Sequence, residues 1–381
     1  MSTFESDTLD LYEAIDAFVQ RGVDAPRDDE EFGALALRCF EMQFKYNEPY
    51  GHYCRLRGIT PEAISQWEEI PPMPAIGFKE LELRCFPVEE VVRVFRTGGT
   101  SGAGKRGQVF LNEKGLSYVK TAHEWVCKEY LMPDCDSMDL LLMVPPPHVI
   151  PDILMAFGVV VTARYIGSRE NEFFIGKDGL RVDALIDCLR KAESAGQPIA
   201  LIGPTQVAYG RLYETLTERG IRFSLAEGSR VFDAGGMKSG GLRLMSREEY
   251  LQRTEELLGI PSHFAVNVLG MTEVTSIFFD NTIRNYHHGK QRPRCKAHYP
   301  WTRTMAIDPE THARLPTGMV SQLVHYDLMN LGTVVAVRTD DFGYEQDGGF
   351  EIVGRALGAT PKGCALSMHE LVTTAEGARD G

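Results

Sequence analysis

The chain has 381 residues, 43% hydrophobic and 24% charged, ordinary proportions for a folded globular protein with room for one large α/β domain or two smaller ones. A formal net charge of −13 without a long basic cluster argues against a nucleic-acid partner. The acidic start (MSTFESD) has no signal-peptide character, there is no apolar run of about 18 residues, and eight scattered cysteines form no C-x-x-C pair, so a cytoplasmic protein with reduced thiols and no membrane span is expected.

Residues 6–60 read as helices, with Leu35, Leu37, Phe40 and Phe44 near helical spacing, and 69–77 as a proline-rich connector. A strand is expected over 91–95, then a glycine-rich loop, a strand over 108–111 and a helix over 113–131. The apolar run 139–144 predicts a buried strand. A helix near 152–158 and a strand over 159–165 follow, then a strand at 199–202, a helix at 205–219, a strand at 230–233, a helix at 246–258 and a strand at 264–268. This alternation implies a mostly parallel sheet covered on both faces. Beyond residue 300 the pattern is strand-rich, over 303–307, 319–326, 333–338 and 350–353, and 373–381 reads as a frayed tail.

The loop after the first strand, Thr97, Gly98, Gly99, Thr100, Ser101, Gly102, Ala103, Gly104 and Lys105, has the chemistry a triphosphate needs. Its glycines let backbone N–H groups turn toward an anion, the hydroxyls add donors and the lysine adds charge. Gly99 to Lys105 also fits G-x-x-x-x-G-K. But Arg106 stands where that motif needs Ser or Thr, and the following QVFL has β character, so the loop is expected to join two strands rather than open a helix. A plain glycine-rich surface turn is the other reading.

The loop resembles the phosphate-binding motif of the adenylate-forming superfamily, which includes acyl-CoA synthetases and adenylation domains. Gly270, Met271, Thr272 and Glu273 resemble its G-x-T-E motif, Arg338 to Asp341 its T-G-D motif, and Gly354-Arg355 its G-R motif, all in the superfamily's order. Gln43, Asn47 to Tyr50, the IPPMP run at 70–74 with Phe78-Lys79, the GGMK run at 235–238 and Lys362 to Cys364 are similar to the acyl-protein synthetase branch associated with bacterial bioluminescence. The resemblance runs from about residue 30 to 367. It implies the large α/β domain of that fold, of layered, mostly parallel sheets with helices. Residues 1–90 would be its helical N-terminal part, 91–355 the ATP- and acid-binding core, and 356–381 a stub in place of the mobile C-terminal lid.

The resemblance also assigns roles. Thr97, Thr100, Ser101 and Lys105, with Gly98, Gly99 and Gly102, would hold the β- and γ-phosphates of ATP. Thr272 would reach the α-phosphate, and Glu273 would bind Mg2+, which prefers hard oxygen ligands. Gly235, Gly236 and Met237 would form part of the adenine wall, and Gly270 and Met271 would also belong to the nucleotide site. Asp341 would accept from the ribose hydroxyls, with Arg355 near ribose or phosphate, and His148 would lie near the substrate carboxylate. Cys364, in the Lys-Gly-Cys segment, would accept the acyl group, its thiol helped by Lys362. A helix start for Glu273, a turn for Asp341, and a buried apolar role for Cys364 are the structural alternatives. Three positions depart from the superfamily: Gly98 replaces a serine, Leu269 an aromatic residue, and Asp340 a glycine. His287, His288, Cys295 and His298 include a Cys-x-x-His spacing open to zinc, set among basic residues that oppose a cation.

The expected function is ATP-dependent activation of a carboxylic acid as acyl-AMP, followed by transfer to CoA, an acyl carrier protein, an amine or Cys364 itself. An ATP-independent acyltransferase using Cys364 and a non-catalytic partner subunit are the alternatives.

Overall fold

A computed structural model describes residues 2–97, 106–168, 172–176, 178–235 and 245–355. The chain opens with α1 (Thr3–Gln20), whose first turn is capped by the Ser2 hydroxyl accepting from Glu5 N at 3.1 Å. α2 (Asp29–Tyr46) is capped by Asp28 and carries Asp29, Glu30 and Glu31 in its first turn, where the helix dipole favours negative charge. α3 (Glu48–Leu56) starts from Asn47, with proline in its first turn. β1 (Arg93–Arg96) and β2 (Gln108–Leu111) form an antiparallel hairpin. α4 (Glu113–Thr121) passes through a π-turn at Ala122–Val126 into α5 (Cys127–Leu131).

β3 (Asp139–Leu142) is wholly buried and leads through a loop to α6 (Leu154–Ile166). Here the expectation of a short helix and then a strand over 159–165 is wrong. The β-branched run Val159 to Thr162 has strand propensity, but packing overrides it. Ala156, Gly158, Thr162 and Ala163 are buried on a helical surface. Gly158 lies under the His123 ring, where an added Cβ would stand 1.9 Å from Cε1, and the Thr162 hydroxyl donates to His123 O at 2.8 Å.

β4 (Glu172–Phe173), α7 (Val182–Ala195), β5 (Ile199–Pro204), α8 (Gly210–Glu218), β6 (Arg230–Ala234), α9 (Arg247–Leu258), β7 (Ala265–Met271), β8 (Val274–Phe279) and α10 (Thr282–His287) follow. β9 (Lys296–Ala297), β10 (Thr302–Ile307), β11 (Ser321–Asp327), β12 (Ala336–Gln346) and β13 (Gly349–Arg355) complete the described chain.

Among the described residues, one sheet has the order β8-β7-β6-β5-β3-β4, parallel except for the antiparallel β7–β8 pair. Its β3, β5 and β8 are buried along their whole length, as a sheet covered on both faces requires. The second sheet, β9-β13-β12-β11-β10, is antiparallel, with Met73–Pro74 added in parallel beside β12. The expectation of mostly parallel sheets thus holds for the first and fails for the second. Links too short for a crossover, such as 347–348 between β12 and β13, permit only antiparallel neighbours. One buried cluster from Phe4 to Phe350 joins the N-terminal helices to both sheets.

Candidate active site

In an open α/β sheet the crevice for ligands lies beyond the carboxyl ends of the parallel strands. β6 and β7 are neighbours there, with Val268 opposite Ala234. β6 is followed at once by Gly235 at φ 99°, a left-handed conformation that suits glycine. β7 ends in Gly270 and Met271 and reverses at once through Thr272 and Glu273 into β8, with Met271 opposite Val274 and a bulge between Leu269 and Met271. Thr272 and Glu273 are half-buried, Gly270 is exposed, and a Cβ at Gly270 would meet nothing within 4 Å. Glu273 is therefore a hairpin residue, not a helix start. Leu269, where relatives of this fold were expected to carry an aromatic ring, packs half-buried against the core.

The glycine-rich loop leaves and rejoins a strand hairpin, which excludes the P-loop reading. Its neck is closed by Thr97. Thr97 N donates to Gly107 O at 2.9 Å, and Gly107 N donates to the Thr97 hydroxyl at 2.9 Å. Arg106 stands where the P-loop motif would have a hydroxyl. Its Nε donates to Thr97 O at 2.8 Å and its Nη1 to Asp152 Oδ2 at 3.0 Å, while Nη2 is buried without a partner among the described residues. Arg96 binds the same Asp152 oxygen at 3.2 Å, and its backbone N–H donates to Asp152 O at 2.8 Å. Asp152 thus ties both sides of the loop's neck to the segment that leaves β3 and carries His148. The His148 side chain is exposed in a turn of that segment.

The Thr272–Glu273 turn is held from behind by buried amides. Asn330, 3% exposed, donates from Nδ2 to Glu273 O at 3.0 Å and to Val334 O at 3.1 Å, and its Oδ1 accepts from Thr275 N at 2.9 Å. Asp327 accepts from Ser276 N at 2.7 Å and Met329 N at 3.0 Å. Burial pushes its carboxyl up to about 6 despite these donors. The 330–335 connection is in turn gripped by α2. Gln43 donates to Asn330 O and Leu331 O and accepts from Val335 N, and Asn47 donates to Thr333 O at 3.0 Å. Gln43 and Asn47, two of the residues singled out in the sequence, are positioning residues for the strand turn.

Beneath Gly235 lies a buried ionic network that the sequence reading missed, because its members are scattered from Thr205 to Lys296. Asp233 accepts from Thr205 Oγ1 at 2.8 Å, Asn267 Nδ2 at 2.8 Å and Arg247 Nη1 at 2.6 Å. Asp280 accepts from Arg294 at 2.6 Å, Arg247 at 3.2 Å and Lys296. Burial alone would raise the Asp280 carboxyl; Lys296, Arg247 and Arg294 outweigh it and hold it down to about 2. The network fixes the end of β6, the first half of β7 and the start of α9 relative to one another.

Asp341 lies on the second sheet, 4% exposed in β12, directly opposite Arg355 of β13. Its N–H donates to the Thr339 hydroxyl at 3.0 Å, and that hydroxyl donates to Leu323 O at 2.9 Å. The sheet register therefore brings the T-G-D-like and G-R-like segments together. Gly98, Gly99, Thr100, Ser101, Gly102, Lys105, Gly236, Met237, Lys362 and Cys364 lie outside the described residues. The zinc reading of Cys295 and its histidines is not upheld. Among the described residues no group of three or more His, Cys, Asp and Glu side chains could hold a metal. Cys295 is buried and accepts from Asn281 Nδ2 at 3.1 Å, and burial pushes its thiol up to about 11. No described helix is long and apolar enough to cross a membrane.

The family profile of the acyl-protein synthetases, LuxE, matches residues 24–373. The chain belongs to that family. The chain is similar to the long-chain-fatty-acid–luciferin-component ligase of Vibrio harveyi, 24% identical over 356 residues covering 89% of this chain and 87% of the relative. It is also similar to the ligase of the same name from Aliivibrio fischeri, 22% identical over 352 residues covering 89% and 88%. Among solved structures, 2-hydroxyisobutyryl-CoA ligase in the postadenylation state with 2-HIB-AMP superimposes at a TM-score of 0.64, with 14% identity over 86% of this chain and 67% of that one. Its open form with 2-HIB-AMP and CoA gives 0.60, with 15% identity over 85% and 75%. The chain is therefore a ligase-type enzyme of this family on the α/β fold of adenylate-forming ligases.

Proposed function

We propose that this enzyme uses ATP to activate a carboxylic acid with an apolar chain as acyl-AMP and then passes the acyl group to a thiol or amine. The observation that carries the reading is the Asp152 tie together with the adjacent ends of β6 and β7. A glycine-rich loop is anchored at both sides of its neck, next to the segment bearing His148, while Gly235 and the Thr272–Glu273 turn end neighbouring strands of the same sheet.

In this scheme Thr97, Thr100, Ser101 and Lys105 bind the β- and γ-phosphates, joined by the spare Arg106 Nη2 donor. Thr272 contacts the α-phosphate. Gly235, Gly236 and Met237 form part of the adenine wall, Gly270 and Met271 also belong to the nucleotide site, and Asp341 accepts from the ribose hydroxyls with Arg355 beside it. The substrate carboxylate oxygen, near His148, attacks the α-phosphorus and pyrophosphate leaves. Fixed donors that meet the charge developing on the phosphate oxygens supply most of the acceleration. A half-buried carboxylate on a backbone held by Asn330 fits Mg2+ well, so Glu273 would hold the ion, which when bound neutralises phosphate charge.

A thiol sulfur then attacks the acyl carbon and AMP leaves, with Cys364 the proposed acceptor on this chain and CoA or an acyl carrier protein as further acceptors. An apolar chain is supported by α6, which follows His148. Met155, Phe157, Val159, Val160 and Val161 are only half-buried on an almost wholly apolar helix. The names of the bacterial relatives point the same way.

The test is pyrophosphate exchange into ATP across acids of increasing chain length, with mass spectrometry of the protein. Exchange is expected with long-chain acids, and Cys364→Ala should keep exchange while losing the covalent acyl adduct. No exchange with any acid would overturn the proposal.

A further inference from the structure

β8 runs back from the Thr272–Glu273 turn for six residues, about 20 Å of strand. At its far end Asn281, α10 and the segment to Arg303 meet residues 23–27 and the β12–β13 hairpin tip around Asp347. Together they enclose a cleft of ≈ 750 Å³, within the range of small-molecule sites. Arg27, Arg284, Lys290, Arg292, Arg303 and Arg314 line it, against the carboxylates of Asp24, Glu345 and Asp347. The walls thus carry an excess of positive charge in a chain whose net charge is −13.

Several of these cations have protein partners. Arg27 and Arg303 share Asp29 at 2.9 and 2.7 Å, Arg314 binds Glu345 at 2.8 Å with Glu68 at 3.8 Å, and Arg284 pairs with Asp24 and, at 3.7 Å, with Glu129. The compensation is incomplete. Arg292 is 4.0 Å from Asp347 and half-exposed, and Lys290 is exposed on the rim. Burial and the neighbouring Arg27 lower the Arg303 guanidinium to about 10, a sign of cations crowded together.

The same walls hold polar atoms left without partners. Arg284 Nε, Asn285 Nδ2 and His298 Nε2 are buried and unpaired among the described residues, and Arg284 as a whole is 6% exposed. A tetrahedral oxyanion with two negative charges offers more acceptor oxygens and more charge to a group of cations than a carboxylate does.

We propose that this cleft binds a small phosphate-bearing anion, inorganic phosphate or a phosphate monoester, at a site separate from the strand ends where activation is proposed. Phosphate oxygens accept from the exposed rim cations Lys290 and Arg292.

The full chain is titrated by calorimetry with inorganic phosphate and, separately, with glycerol 3-phosphate. The titrations are repeated with the rim variant Lys290→Glu/Arg292→Glu and with Arg284→Gln, each checked for fold by circular dichroism. Saturable binding at one site per chain is expected, weakened about tenfold or more in the rim variant, with pyrophosphate exchange unchanged. Tighter binding of the ester would support an organic phosphate as the ligand, and equal binding would support the free ion. Absence of saturable binding by both probes overturns the proposal. So does binding that the rim variant leaves intact, or binding that Glu273→Gln abolishes. Arg284→Gln removes a cation from the cleft wall; if it fails to fold, the rim variant alone decides.

Discussion

Asp152 offers a sharp separation of positioning from stability. In Asp152→Ala the Arg96 and Arg106 side chains lose contacts of 3.2 and 3.0 Å to one carboxylate oxygen. The Asp152 side chain is 27% exposed and Arg96 40%, so water screens the pair and the stability lost should be only about 1–2 kcal/mol. The Arg96 N to Asp152 O bond at 2.8 Å and the Arg106 Nε to Thr97 O bond at 2.8 Å remain, so the hairpin stays formed. What is lost is the fixed orientation of the loop neck toward the His148 segment. A small displacement of phosphate-binding groups costs about 10- to 100-fold in rate, or roughly 1.4–2.7 kcal/mol of transition-state binding. Pyrophosphate exchange at saturating acid, measured against ATP concentration, should show kcat/KM for ATP reduced by that factor, with Asp152→Asn in between. A urea titration on the same samples reports stability. If Asp152→Ala exchanges within about twofold of the parent, the tie does not position the loop and the reasoning fails.

Asn330→Ala should cost about 3–5 kcal/mol in denaturant unfolding, because it leaves Glu273 O, Val334 O and Thr275 N buried and unpaired; a loss below about 1 kcal/mol would mean water replaces the amide. Glu273→Gln should leave the melting temperature nearly unchanged and lower magnesium-dependent exchange about 100-fold, and undiminished exchange would remove Glu273 from the metal's coordination. Asp327 has a folded carboxyl near 6 against about 3.9 unfolded. Its stability contribution is full below about pH 4, falls as pH rises toward 6, and is constant above. Asp327→Asn has no such slope, so the stability gap between variant and parent should shift in the variant's favour by up to about 3 kcal/mol between pH 4 and 7. A gap that stays constant in urea titrations at pH 4.5, 5.5 and 6.5 would show that this carboxyl is not raised.

Local patterns were legible in the sequence wherever chemistry and periodicity agreed. The apolar run in β3, the helices α2 and α9, and the β character after Lys105 each follow from composition within a few residues, and the last was enough to reject a P-loop. The G-x-T-E-like run was visible as a motif, though its form as a two-residue hairpin turn was not. α6 was misread over its second half because Val159 to Thr162 have strand propensity, and only packing of Gly158 and Thr162 against His123 decides for helix.

The residues that hold the candidate site together were least legible. Asp152, Asp233, Asp280, Asn330 and Arg247 carry no spacing signal, since their partners lie from about 14 to nearly 290 positions away in the chain. The sequence by itself determined the class of fold, the order of its motifs and the chemical character of the glycine-rich loop, because these depend on short-range patterns of backbone freedom, charge and apolar period. Only the tertiary structure decided which strand ends lie side by side, which buried carboxylates are neutralised and where a surplus of cations gathers. Those depend on contacts between distant segments, and a buried polar group becomes stabilising or costly only once its partners in space are known.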